Sequence, residues 1–213
     1  MNKAVFLDRD GVINELYYDD NQGVIDSPFH PRQFQLFPKT GEAINMFHNL
    51  GYQVIIISNQ PGIAKKHFTE ETFRKIREKM HDELKKQDAF VDAEYYCLHH
   101  PESKLEKYKK ICDCRKPKPG MINQASQERN IAIPHSWMIG DSVVDIEAGG
   151  TAGCKTIFVG KKKGYIWEEM KIEPDYVVPN LFQASLVIKE YENKEYKKEE
   201  KDDRYIFRYS KSC

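Results

Sequence analysis

Short apolar runs alternate with helical periodicity along most of the chain. Ala4 to Leu7 is an apolar run that predicts a buried strand. Pro38 then opens a helix through Leu50, with Ala43, Ile44, Phe47 and Leu50 on one face and Gly51 as its stop. Tyr52 to Ile57, with its run of Val54, Ile55, Ile56 and Ile57, is a second buried strand. Thr69-Glu70-Glu71-Thr72 has the composition of a helix start, and Phe73, Ile76, Met80 and Leu84 make the core stripe of the helix that follows. Val91 to Tyr96 is a third strand. Helix signals resume at Pro119 and end near Asn130, with Met121, Ile122 and Ala125 on one face. Strands follow at Ser136 to Ile139, Lys155 to Val159 and Tyr176 to Val178. Short helices are expected from Val143 to Thr151 and from Pro179 to about Tyr191. This alternation predicts an α/β fold: a doubly wound parallel sheet with right-handed crossovers and helices on both faces.

Two stretches break the rhythm. Glu15 to Arg32 is rich in aromatic, polar and turn residues and reads as a flap or substrate loop beside a strand mouth. From Glu192 to Lys211 the chain is rich in Lys and Glu and loses periodicity. We take residues 1–191 as one domain and 192–213 as a charged tail or helix extension. Tyr205-Ile206-Phe207 in that tail is apolar enough to dock.

Charge narrows the function little. Acidic and basic residues balance at 33 each, which gives no electrostatic case for nucleic acid or an acidic membrane. No apolar run approaches the ~20 residues that cross a bilayer. No signal peptide is evident, and five unevenly placed cysteines do not suggest a disulfide framework. A cytoplasmic monomer without nucleic-acid or membrane partners is expected.

Chemistry concentrates at the strand ends. Asp8, Arg9 and Asp10 follow the first strand directly, and Gly11 makes a turn. Ligands in open α/β sheets sit beyond the carboxyl ends of strands. Two carboxylates there repel each other unless a cation or proton settles them, and magnesium, which prefers oxygen ligands, suits the place. Ser58, Asn59 and Gln60 end the second strand with small donors able to bind phosphate oxygens without adding charge. Gly140-Asp141-Ser142 ends the fourth strand. Asp145, one helical turn beyond Asp141, is either a supporting group of the site or a helix N-terminal acid.

Cys97-x-His99, twelve residues, then Cys112-x-Cys114 offers three thiolates and an imidazole. Zinc accepts that set tetrahedrally, and four protein ligands leave no open position, so the expected site is structural. His100 competes with His99 for the fourth place. The polar loop between the pairs has almost no core of its own, so a metal would order it and fix Arg115 and Lys116 over the sheet mouth.

The string Phe-Leu-Asp-Arg-Asp-Gly-Val-Ile-Asn resembles the first motif of the haloacid dehalogenase superfamily of phosphohydrolases. Cys-x-His-His-Pro, then Cys-Asp-Cys-Arg-Lys-Pro-x-Pro-Gly-Met, then Met-Ile-Gly-Asp extends the resemblance. Together they are similar to the D-glycero-D-manno-heptose-1,7-bisphosphate phosphatases, kin of the phosphatase half of histidinol-phosphate phosphatase. The likeness covers roughly residues 3–191. It implies a Rossmann-like sheet of the haloacid dehalogenase type, a zinc loop at 97–116 and a phosphate monoester of a small sugar as substrate. It implies Asp8 as nucleophile through an aspartyl phosphate, and Asp10 as acid and then base. Mg2+ would sit on the Asp8 and Asp141 carboxylates and the Asp10 carbonyl, and Zn2+ on Cys97, His99, Cys112 and Cys114. Ser58 and Lys116 would bind the transferring phosphoryl group, and Arg115 would recognise substrate, with Asn59, Gln60 and Ser142 also beside it. Ser142 stands where some members carry Lys, and the Leu16 to Arg32 loop departs from the family pattern and looks longer. The segment between Asn14 and Pro38 is too short for a large cap domain. Histidinol phosphate is the alternative substrate. A nucleic-acid end phosphatase would want an aromatic-basic groove that the pattern lacks. A non-catalytic binding module is the reading from another class, but a scaffold has no use for an electrostatically costly cluster of Asp8, Asp10, Lys116 and Asp141.

Overall fold

The computed structural model describes residues 1–19, 23–161 and 172–209. Its centre is a parallel sheet of six strands: β1 (Lys3–Leu7), β4 (Tyr52–Asn59), β5 (Ala93–Cys97), β6 (Trp137–Gly140), β7 (Lys155–Val159) and β8 (Tyr176–Val178). They lie in the order β5-β4-β1-β6-β7-β8. After β1 the chain builds outward on one side through β4 and β5, then returns to lay β6 against β1 on the other. This reversal opens a crevice at the carboxyl ends of the central strands.

Side-chain alternation along β1 and β4 divides the core between the two faces of the sheet. Val5, Leu7, Val54 and Ile56 face one layer, packed with α1 (Thr40–Asn49), α2 (Glu70–Lys85) and α5 (Leu181–Tyr209). Ala4, Phe6, Ile55 and Ile57 face the other, against Met121, Ile122 and Ala125 of α3 (Gly120–Arg129) and Ala148 of α4 (Val143–Ala152). Of the expected stripe on α2, Ile76, Met80 and Leu84 enter the first layer. Phe73 instead packs beside Ile63, Ala64 and Tyr108 at the sheet mouth. The Thr69 hydroxyl caps this helix by accepting from the Thr72 amide.

Two elements, a hairpin and the length of β4, differ from the sequence expectation. The stretch 15–32 holds a small antiparallel hairpin, β2 (Tyr17–Asp19) and β3 (Val24–Asp26), with Tyr18 opposite Ile25. Strands of three residues are too short to show period-two patterning. β4 runs two residues further than expected, taking in Ser58 and Asn59 through pairing with Tyr96 and Cys97. α5 continues across residue 191 to Tyr209. Docking by Tyr205-Ile206-Phe207 concerns side chains outside the described set, as do residues 210–213. Among the described residues no helix is long and apolar enough to cross a membrane.

Candidate active site

Asp8 follows β1 directly, and its amide donates to the Ile139 carbonyl of β6 at 3.0 Å, which locks the strand end to its neighbour. The turn beyond it is tight because Gly11 has φ +83° and a Cβ there would sit 2.0 Å from Asp141 Oδ2. That close approach lets the Gly11 backbone and the Asp141 carboxylate share the mouth. Asp141 follows β6, so the two carboxylates lie on adjacent strand ends.

The cation of the site is Lys116, buried in full from the far side of the cysteine loop. Its Nζ lies 2.9 Å from Asp8 Oδ1 and 2.5 Å from Asp145 Oδ1, and donates to the Ile57 carbonyl at 2.8 Å. Burial alone would discharge an ammonium. The Asp145 and Asp8 carboxylates outweigh it and raise the Lys116 pKa above its usual value. Asp145 makes contacts on two sides. One oxygen grips Lys116, and the other accepts from the amide and hydroxyl of Ser142, capping α4.

Asp8, Asp141 and Asp145 bring oxygens within 4.8 Å of one another. One ammonium cannot balance three carboxylates. Burial, with Asp145 and Asp10 nearby and only partly offset by Lys116, pushes Asp8 up to about 6. Burial, then Asp8 and Asp145, push Asp141 up to about 8. A hard divalent cation on Asp8 and Asp141 would relieve this, and an oxygen donor set is what magnesium takes. Asp10 behaves differently. Burial opposes its ionisation, but the Arg9 guanidinium and hydrogen bonds from Asn14 and Gln60 hold its carboxyl below the usual range. The repulsion expected between Asp8 and Asp10 is therefore largely settled by Arg9. The unbalanced charge lies between Asp8 and Asp141.

The other candidates divide by what their side chains already bond. Ser58 is buried at the end of β4, and its Oγ accepts from Gln60 Nε2 at 3.2 Å. Asn59 spends both ends of its amide on the main chain of Lys116, donating to the carbonyl and accepting from the amide, each at 3.0 Å. Gln60 donates to Asp10 Oδ2 at 2.6 Å and accepts from Arg9 at 3.0 Å. Ser142 is the cap of α4. Asn59, Gln60 and Ser142 thus act first on neighbouring protein groups. Arg115 donates to the His99 carbonyl at 3.3 Å. Burial, then the charges of Arg115 and Lys65, lower the His100 pKa, so two cationic side chains lie close to an imidazole held in its neutral form. Arg9, Asn14 and Lys65 were not singled out from the sequence. A buried arginine between two aspartates carries no local signal, since charged residues are ordinarily read as exposed.

The four residues Cys97, His99, Cys112 and Cys114 come together with ligand atoms within 4.8 Å of one another and could hold a metal ion. Sulfur separations are 3.6 Å for Cys97 and Cys112, 3.3 Å for Cys114 and Cys97, and 3.1 Å for Cys114 and Cys112. Tetrahedral zinc with bonds of about 2.3 Å sets its sulfurs about 3.8 Å apart, so the shell fits after slight expansion. His99 Nδ1 lies 3.4 Å from Cys114 Sγ. His100 turns away, its Nδ1 accepting from the Glu102 amide. Burial and neighbouring sulfurs raise the Cys114 thiol well above its usual range.

A cleft of about 540 Å³ opens beside Asp141. Leu16 and the hairpin residues Tyr18 and Ile25 line it, together with Phe158, Val159 and Leu181. No large cap covers it among the described residues.

Comparison with known proteins agrees with this arrangement. The HAD-hydrolase-like (haloacid dehalogenase-like hydrolase) family model matches residues 113–184. The chain is 38% identical over 191 residues to a D-glycero-β-D-manno-heptose-1,7-bisphosphate 7-phosphatase of Pasteurella multocida, covering 89% of this chain and 98% of that protein. It is 37% identical over 189 residues to the protein of that name from Haemophilus influenzae, with the same coverage. A crystal structure of D,D-heptose 1,7-bisphosphate phosphatase from B. bronchiseptica, complexed with magnesium and phosphate, superposes with a TM-score of 0.72 at 27% identity, covering 89% of this chain and 99% of that one. With its Asp8-to-Gly11 turn, its buried lysine and its cysteine loop at the mouth of the sheet, the chain belongs to the haloacid dehalogenase-like phosphatases, in the family of the D-glycero-β-D-manno-heptose-1,7-bisphosphate 7-phosphatases.

Proposed function

We propose that this protein removes the 7-phosphate of D-glycero-D-manno-heptose 1,7-bisphosphate through an aspartyl phosphate on Asp8. The observation that carries the reading is the meeting of Asp8, Lys116 and Asp141 at the mouth of the sheet. Phosphate monoesters are among the slowest substrates to hydrolyse unaided, so the equatorial oxygens must be neutralised while the nucleophile is held in line.

Asp8 attacks phosphorus, the P–O bond to the sugar breaks, and the sugar oxygen leaves with a proton from Asp10. Water then attacks the aspartyl phosphate, giving its proton to Asp10 and releasing inorganic phosphate with Asp8 restored. In the free protein Asp10 is held ionised, the form that serves as base. The arriving phosphoryl charge opposes Arg9 and favours the protonated form needed for the first step. Lys116 and Ser58 face the transferring group. Mg2+ would be held by Asp8, Asp141 and the Asp10 carbonyl and would supply charge neutralisation for the phosphoryl oxygens. Zn2+ on Cys97, His99, Cys112 and Cys114 would be structural.

Asp8→Asn tests the reading. Phosphate release from heptose bisphosphate with magnesium should vanish while the melting temperature is retained. Activity above a few per cent of wild type, with deamidation excluded, would remove Asp8 as nucleophile. Because the relatives' names specify the β anomer, a panel of both anomers and histidinol phosphate should rank the β bisphosphate first.

A further inference from the structure

Asp10 is held by an unusually complete set of partners, and Arg9 is the charged one among them. Arg9 is wholly buried although it follows the nucleophile directly. Its Nε donates to Asp10 Oδ1 at 3.0 Å, and its Nη2 donates to Asp10 Oδ2 at 2.9 Å. The two parallel bonds fix the plane of the carboxylate as well as its position. Gln60 closes the ring, donating to Asp10 Oδ2 at 2.6 Å and accepting from Arg9 Nη2 at 3.0 Å. Asn14 donates to Oδ1 at 2.9 Å from the other side.

The remaining Arg9 nitrogen, Nη1, finds no hydrogen-bond acceptor among the described residues. The guanidinium carbon instead lies 5.8 Å from the centroid of Phe73 and 6.0 Å from that of Tyr96, which offer their rings to the cation. Tyr96 is itself fixed, its hydroxyl donating to Glu94 at 2.5 Å, and Glu94 is gripped by both nitrogens of the Arg77 fork. A buried guanidinium is costly, and a simple counter-charge for Asp10 could have been supplied by solvent or a surface lysine. The arrangement makes sense where orientation, rather than charge alone, is needed.

We infer that Arg9 is a positioning residue, which aims the Asp10 carboxyl for proton transfer without touching the substrate. The inference rests on the reading of Asp10 as the acid and base of the reaction. Arg9 then acts on both proton transfers through Asp10, and its bond to Gln60 holds a second donor on the same carboxylate. Lysine cannot replace it, since a single ammonium fixes one oxygen and leaves the carboxylate free to rotate.

The test compares Arg9→Met, Arg9→Lys, Asp10→Asn and the double variant Arg9→Met/Asp10→Asn. Each is given an unactivated sugar phosphate and an activated dinitrophenyl phosphate, with melting temperature recorded. Loss of a general acid or base typically costs 10²- to 10⁴-fold, and an activated ester escapes the acid's share. Asp10→Asn should lose kcat on the sugar phosphate and give a dinitrophenolate burst followed by slow turnover. Arg9→Met should reproduce that fingerprint, losing roughly 10²-fold in kcat on the sugar phosphate with KM little changed. Arg9→Lys should fall between it and wild type, and it carries the test if the methionine variant does not fold. In the Asp10→Asn background the change at residue 9 should cost less than about threefold, since no carboxyl remains to aim. Equal losses on both esters, or full additivity in the double variant, would overturn the role of Arg9. An Asp10→Asn variant with no leaving-group dependence would instead remove the acid-base reading of Asp10 itself, and the inference with it.

Discussion

Lys116 lies 2.9 Å from Asp8 on a side chain that is almost wholly buried. It enters from the cysteine loop, so one ammonium joins the first strand of the fold to a segment far along the chain. Its neighbours are carboxylates and a carbonyl, and none of them can replace its charge. Lys116→Met should therefore lower kcat/KM by about 10²- to 10³-fold, the scale for removing one preorganised donor to a developing negative charge. Asp145→Asn, which loosens the lysine without removing it, should cost less. Steady-state kinetics on one bisphosphate substrate decide the order. A larger loss for Asp145→Asn would make the aspartate the primary group.

The crowded carboxylates predict a pH effect on stability. Asp8 is raised from 3.8 to about 6 and Asp141 from 3.8 to about 8 in the folded protein. Between those values the folded state binds more protons than the unfolded state, so stability falls as pH rises. Zinc-loaded protein in magnesium-free buffer should melt at lower temperature at pH 8 than at pH 6. Magnesium, or Asp141→Asn, should flatten the slope. A melting temperature that does not change over this range without magnesium would mean the pair carries no unrelieved charge.

Removing one cysteine should act at a distance. Cys112→Ser should release zinc, and the loop from 97 to 116 should exchange its amide hydrogens faster. Zinc-finger peptides owe roughly 10–16 kcal/mol of apparent binding free energy to their metal, part of which here would order the loop. Turnover should drop because Lys116 loses its anchor, while the magnesium concentration for half-maximal rate stays nearly constant. Zinc content per chain, hydrogen exchange and magnesium titration are the measurements. A zinc-free variant with full activity and a protected loop would contradict the structural role.

Arg115 lies close to His100, as does Lys65. A guanidinium there suits the phosphate that does not react, which it can bind through a fork. Arg115→Ala should lower kcat/KM for a bisphosphate at least tenfold more than for the matching monophosphate, about 1.4 kcal/mol of discrimination. Equal losses on the two substrates would assign Arg115 to the reacting end or to the loop.

The central strands and the cluster of Cys97, His99, Cys112 and Cys114 were legible because their signals are local. Val54 to Ile57 reads as a buried strand in any setting, and paired Cys-x-His and Cys-x-Cys spacings leave few alternatives once the loop closes. Asp8, Lys116 and Asp141 were legible through resemblance, and the sheet order explains why they meet. What stayed hidden depends on tertiary contact. Arg9 reads as a surface residue until Phe73 and Tyr96 are seen against it. Asn59 and Gln60 look like phosphate donors by type, yet their amides are spent on Lys116 and Asp10. The hairpin of Tyr17–Asp19 and Val24–Asp26 is too short to leave a pattern.

The position of β1 has a further consequence for how the molecule comes into being. This strand precedes both of its neighbours in the chain and sits in the middle of the sheet, flanked by β4 on one side and β6 on the other. A growing chain can pair Val5 with Val54 early, but the second flank, Val5 with Trp137, must wait for β6. Parallel pairing across such separations is slow, because chain closure is costly before the contact rewards it. Asp8 is thus made well before the residues that surround it. A nascent chain stopped before Lys116 carries Asp8 with neither the ammonium nor the Asp141 carboxylate that adjoin it in the folded protein.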